Sequence, residues 1–175
     1  MTFKAFHEFH RKLYMRYAHI QMGTGREAEK VVDRVFADLK RRWGHVQEQP
    51  SVPDYAWKTL REEVQRWLDE RGLPPQVVGT GAFTKALQRL WIHEMRDALT
   101  VLPQEIGLYA AIAKLPDRRY DVIVLRFMLG MEEDATADYL GCDKATVRSH
   151  VRHARRQIAA ELGLPHHDPD HDAEQ

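Results

Sequence analysis

Apolar residues in the first stretch fall at Phe6, Phe9, Leu13, Tyr17 and Ile20, three or four positions apart, which is the spacing of one helical face. Gly23 and Gly25 end that stretch. A stronger stripe runs through Ala28, Val31, Val32, Val35, Phe36, Leu39 and Trp43, with Glu29, Lys30, Asp33, Arg34 and Asp38 on other faces, and predicts a second helix. From Gly44 to Val52 the chain is polar, contains Pro50 and reads as a loop. Pro53 then suits the first turn of a third helix, Pro53 to Glu70, carrying Trp57, Leu60, Val64, Trp67 and Leu68. Three such helices can bury their stripes against one another, so residues 1–71 read as a small helical bundle.

Gly72, Pro74, Pro75, Gly79 and Gly81 crowd together and mark residues 72–104 as a linker. Within it the helical period returns at Phe83, Leu87, Leu90, Trp91, Met95, Ala98 and Leu102, and Pro103 interrupts it. Residues 105–163 form a second domain: a short helix with Ile106, Tyr109, Ile112 and Leu115, then a helix capped by Asp117 and running through Leu129, then two more. No strand alternation or repeat period appears. The expected fold is all-α, two small helical domains joined by a linker, the C-terminal one a helix-turn-helix.

Composition narrows the function only after the elements are placed. The chain has 175 residues, 43% of them hydrophobic, enough for real cores, and 26 basic against 26 acidic side chains. The net charge of +0 gives no whole-molecule attraction for nucleic acid, so any such attraction must come from local segregation of charge. The single cysteine, Cys142, excludes an internal disulfide framework. No apolar run is long enough for a membrane span or signal peptide, and the expected location is the cytoplasm.

The missing segregation lies in residues 135 to 151, Ala135 to Val151, where a short helix meets Gly141 and a second starts at Asp143. Gly141 supplies the freedom a tight turn needs, Asp143 can accept from free amides, and small Ala137 permits close helix approach. Val147 and Val151 are expected inward, leaving Lys144, Thr146, Arg148, Ser149 and Arg152 outward. Between Gly141 and Gly163 the bases Lys144, Arg148, Arg152, Arg155 and Arg156 outnumber the acids Asp143 and Glu161. In helix-turn-helix motifs the second helix lies in the major groove, its first residues at base edges and flanking bases on phosphates.

LeuProAspArgArgTyrAspValIleValLeuArgPhe, residues 115–127, with the turn at Gly141 and residues 143–158, resembles region 4 of bacterial sigma factors, especially the extracytoplasmic-function group. That resemblance implies binding of the minus-thirty-five promoter element through Lys144, Thr146, Arg148, Ser149, Arg152, Arg155 and Arg156. LuxR-type regulators share related helix-turn-helix ends. Residues 28–36, AlaGluLysValValAspArgValPhe, resemble the region 2 helix that docks on core RNA polymerase, which implies a docking role for Glu29, Lys30, Asp33 and Arg34. Lys30 and Arg34 stand where the family carries acids, and Asp33 where it carries Gln. The helix from Pro53 to Glu70 occupies the place that reads the minus-ten element, with Trp57, Lys58, Arg61 and Arg66 as the residues of the required type. Glu62, Glu63, Asp69 and Glu70 dilute its charge, and both Trp57 and Trp67 lie on the apolar stripe, where core packing is the plainer role.

The implied partners are promoter DNA, core RNA polymerase and an anti-sigma protein. Two other readings stay open: a DNA-binding regulator that does not melt promoters, and a decoy for an anti-sigma protein. His166, His167 and His171 with Asp168, Asp170 and Asp172 have metal-ligand chemistry but no apolar anchor, so residues 164–175 are expected as a disordered tail and no metal or cofactor is assigned. His7 and His10 are expected half-exposed on the first helix, and Cys142 as small apolar filling at the turn. No phosphate loop, nucleophile elbow or carboxylate pair argues for an enzyme.

Overall fold

The computed structural model describes residues 1–23, 25–73 and 110–163, and every regular element among them is helical. The helix expected around Phe83 to Leu102, the start of the one at Ile106, and the tail from 164 lie outside the described residues. Tertiary contacts divide the chain into two units that interleave in sequence. One comprises Met1–Thr80 with Asp134–Asp143, the other Gly81–Glu133 with Lys144–Gln175.

In the first unit, the Thr2 hydroxyl accepts from the Ala5 amide at 3.3 Å and starts α1 (Phe3–Met22). Next, α2 (Arg26–Arg41) carries Glu27 and Glu29 in its first turn and Lys40 and Arg41 in its last, each matching the helix dipole. The stretch expected as a loop from Gly44 holds a short helix, α3 (Trp43–Gln47), so Trp43 opens a new element and does not continue the stripe of α2. Burial explains the difference. Val46 is fully enclosed, and the Trp43 ring lies 5.4 Å from Phe3 and 5.2 Å from Phe6, which holds the chain in a further turn despite Gly44. Ser51 then caps α4 (Val52–Asp69), accepting from the Asp54 amide at 3.3 Å, with Pro53 in the first turn as expected. Gly72 ends α4 at φ 60°, with Leu73 N–H bonded to the Leu68 carbonyl and Gly72 N–H to that of Asp69.

The stripes of these helices form one core. Phe6, Tyr14, Val31, Val32, Leu39, Trp57 and Leu60 are fully buried; Tyr14 stacks on Phe36 at 5.1 Å and Tyr17 lies 4.8 Å from Trp57. The inward face of α1 runs Phe6, His10, Tyr14, Tyr17, a slightly different line from the one the apolar residues suggest. Phe9 is consequently 78% exposed, while His10, expected half-exposed, is only 4% exposed. A helix turns about 100° per residue, so one face can hold either position 9 or position 10 beside position 6, and packing selects the histidine.

The same unit contains α6 (Glu133–Leu140) from Asp134 onward, in which Thr136, Ala137, Tyr139 and Leu140 are buried. It ends at Gly141, φ 63°, with Cys142 N–H bonded to the Ala137 carbonyl at 3.0 Å and Gly141 N–H to that of Asp138 at 3.3 Å. A side-chain carbon at Gly141 would lie 3.0 Å from Ser51 Cβ.

In the second unit residues 110–113 are helical, and Ile112 and Leu115 are buried. Helix α5 (Asp117–Ile123) is preceded by Pro116 in extended conformation, so Pro116 is its cap and Asp117 its first residue, and the helix starts one position earlier than expected. The helix expected to run to Leu129 changes at Val124–Met128 into a π turn, in which Leu129 N–H bonds to the Val124 carbonyl at 2.9 Å. The residue accommodated there lets Val122, Ile123, Val124, Leu125, Met128 and Leu129 all be buried. Helix α7 (Lys144–Glu161) buries Val147, Ala154, Ile158 and Ala159, and Lys114 Nζ pairs with Glu161 at 2.7 Å.

Burial lowers the pKa of His10 from 6.5 to about 4, and its Nδ1 has no hydrogen-bond partner. Tyr14 from its own helix and Tyr139 from α6 are the titratable rings beside it, and both stay neutral at these pH values because burial raises their pKa. A neutral imidazole is favoured in the folded unit, so its contribution is full above pH 6.5 and is lost as pH falls from there towards 4, by at most about 1.4 kcal/mol per pH unit. In thermal melts between pH 6.5 and 5, His10→Phe should lose less stability than the wild type; equal losses would refute the assignment. Gly141→Ala should destabilise the unit by about 1–2 kcal/mol, from the left-handed backbone and the Ser51 contact, which chemical denaturation would read directly.

Candidate nucleic-acid interface

Only Gly141, Cys142 and Asp143 separate α6 from α7, the spacing of a helix-turn-helix. On α7, Lys144, Arg148, Arg152 and Arg156 recur every four residues and all are exposed. Four residues of a helix advance slightly more than one turn, so these cations form a ridge that drifts slowly around the axis. Thr146, Ser149 and Arg155 flank it, each partly buried, while Val147 is fully buried as expected and Val151 only partly. The 18-residue helix is about 27 Å long, so its first half can span a major groove about 12 Å wide.

Arg148 is held at its guanidinium. Its Nη1 lies 2.8 Å from Glu133 Oε1, and the arginine side chain remains 62% exposed against 28% for that of the glutamate. His153 Nδ1 donates to the Ser149 carbonyl at 2.7 Å, which holds the ring against its own helix.

The sequence reading missed two further cations. Arg118 and Arg119 open α5 and act electrostatically on His150, whose pKa is lowered first by burial and then by Arg119, Arg118 and His153. Arg119 also donates to Gln157 Oε1 at 2.9 Å, tying α5 to α7. His150 is therefore neutral at pH 7 in a field that would attract phosphate. The adjacent arginines in the stretch after Pro116 were visible, but nothing local in the sequence places them beside α7.

In the N-terminal unit, Glu29, Lys30, Asp33 and Arg34 are all exposed on α2. Lys30 pairs with Glu27 at 2.6 Å, Asp33 with Arg11 at 3.2 Å, and Arg34 with Glu63 at 3.3 Å. Glu63 also meets Arg66 and is only 15% exposed, so one carboxylate serves two guanidiniums. The bases at positions 30 and 34 are thus matched inside the unit. A groove of about 630 Å³ between α2 and α4 is rimmed by Arg34, Arg41, Arg42, Arg66, Asp38, Glu62 and Glu63.

Of the residues expected for minus-ten contacts, Lys58 and Arg66 are exposed, Arg61 is partly buried, and Trp57 is fully buried. Lys58 lies 3.9 Å from Glu62. Trp57 offers no face to a base in this arrangement, and Trp67 is covered by the Arg71 guanidinium 4.3 Å from its ring. Among the described residues no cluster of histidine, cysteine and carboxylate side chains could hold a metal, and no helix is long and apolar enough to cross a membrane.

No curated protein matches the chain. Residues 106–158 match the family model described as Sigma-70, region 4, which makes this stretch, with its helix-turn-helix, similar to the DNA-binding regulatory module of sigma-70 factors and not to a catalytic domain.

Proposed function

We propose that the chain is a cytoplasmic sigma factor of the extracytoplasmic-function type, which directs core RNA polymerase to promoters. The observation that carries the reading is the exposed cationic ridge of α7 within the region 4 match. In this account Lys144, Thr146, Arg148, Ser149 and Arg152 meet bases and nearby phosphates, and Arg155 and Arg156 hold the backbone, with Arg118 and Arg119 adding to the field. Glu133 steers Arg148 and limits the conformations it explores before binding. Polymerase docks on the exposed face of α2 at Glu29, Lys30, Asp33 and Arg34, where the local pairing lowers the cost of bringing Lys30 and Arg34 against a partner. An anti-sigma protein would be the natural partner for the resting state.

Burial of Trp57 and the pairing of Arg66 with Glu63 favour a second reading, a regulator that binds duplex DNA without opening it. Run-off transcription with core polymerase and fragments of the host genome separates the two. Transcripts that depend on this protein support the sigma reading; none, with duplex binding retained in a gel shift, supports the regulator. In either case Arg148→Ala should weaken duplex binding by about 1–3 kcal/mol, and unchanged affinity would remove Arg148 from the interface. Lys144→Ala should reduce the dependence of log K on log salt by about one unit if it contacts a phosphate, measured by titration at several salt concentrations.

A further inference from the structure

On α7 the ridge of Lys144, Arg148, Arg152 and Arg156 borders one side of the exposed face. His150, His153 and Gln157 recur at spacings of three and four, so they form a second stripe, centred about 150° around the axis from the ridge. Each is partly buried, because this is the side on which α5 packs. The Arg119 guanidinium donates to Gln157 Oε1 at 2.9 Å, and Gln157 in turn donates to the Lys114 carbonyl at 3.5 Å, so residues 114–119 are fastened along the stripe. That fastening sets Arg118, which is exposed, and Arg119 beside the half-buried ring of His150.

The groups that act on His150 are Arg119 and Arg118 from α5 and His153 from its own helix. All three are basic, and together with burial they keep a proton off the ring. The cluster therefore presents two guanidiniums and an imidazole that lacks only an anion to become a third cation. An α-helix is about 10–12 Å across its side chains and the major groove about 12 Å wide, so a helix lying in the groove has a phosphate strand along each flank. The ridge serves one strand, and the flank shared with α5 comes to the other.

We propose that the flank shared by α5 and α7 is a phosphate site: Arg118 and Arg119 receive a backbone phosphate of the strand that the ridge does not meet, and His150 takes up a proton from solvent as that phosphate arrives. The proposal rests on the DNA-binding reading above. The phosphate offsets the two guanidinium charges that drive the proton off and gives the imidazolium an anion, so the proton is held more tightly in the complex than in the free chain. Linkage fixes the sign. A complex that binds one more proton strengthens as pH falls, by at most about tenfold per pH unit. The gain ends where the free ring, whose pKa is held below 6.5, is itself protonated.

The test measures affinity of the full chain for a random-sequence duplex pool, since a phosphate contact carries no base preference, at about pH 7.5 and pH 6 and fixed salt. Between these pH values the wild type should gain about fivefold more affinity than His150→Gln, a comparison in which the other histidines cancel. His150→Arg carries its charge permanently, so at pH 7.5 it should bind about fivefold tighter than the wild type, a gain that damage to the fold would not mimic. An equal pH response in the wild type and His150→Gln overturns the proposal, and so does a His150→Arg chain that binds no tighter at pH 7.5. A wild-type chain that retains no duplex at either pH sinks the DNA-binding reading separately. Inorganic phosphate then decides alone, by NMR of the His150 ring: a titration that moves to higher pH when phosphate is added supports the site, and an unmoved one overturns it.

Discussion

Tyr14 lies at the centre of the N-terminal unit, flat against Phe36 of α2 and edge-on to Trp57 of α4, with no exposed surface. The position of that ring fixes which side of α1 turns inward, and so brings His10 into the interior and sends Phe9 out. The same ring buries its hydroxyl beside Tyr139, and burial pushes the ionisation of both phenols up. Core packing therefore fixes the register of α1 around one side chain.

Charge is organised differently in the two units. On α2 and α4 cations are matched by acids one helical turn away or across the groove, as with Glu63 between Arg34 and Arg66. Such exposed pairs contribute little stability, but they flatten the local field. Along α7 the cations Lys144, Arg148, Arg152 and Arg156 line up every four residues, and Arg148 meets Glu133 at 2.8 Å. The neutral whole-molecule charge thus combines one balanced surface and one cationic ridge, and it is the ridge that coincides with the region 4 match.

Where a stripe was long and regular, as in α2 and α4, its helix could be read from residue spacing because burial simply follows periodicity. The turn at Gly141 was equally legible, since a left-handed backbone there calls for glycine. Elements fixed by tertiary contact were not. Gly44 and Pro50 look like breakers, and only the enclosure of Val46 and Trp43 makes a helix between them. Arg118 and Arg119 look like ordinary surface residues until α5 lies beside His150. The apolar stripe of α1 pointed at Phe9 where packing chose a histidine, a preference that hydrophobicity alone does not contain.

The π turn at Val124–Met128 has a bearing on how this chain tolerates change. A wide turn absorbs one residue more than the helix on either side requires, and the interior stays filled because the excess is taken up in a local bulge. A turn of this width can take in one extra residue without rotating everything downstream. Such a bulge works as a phase adjuster: it allows the residues that lead to Glu133, and through it the aim of Arg148, to drift in length while the buried side chains before it keep their places.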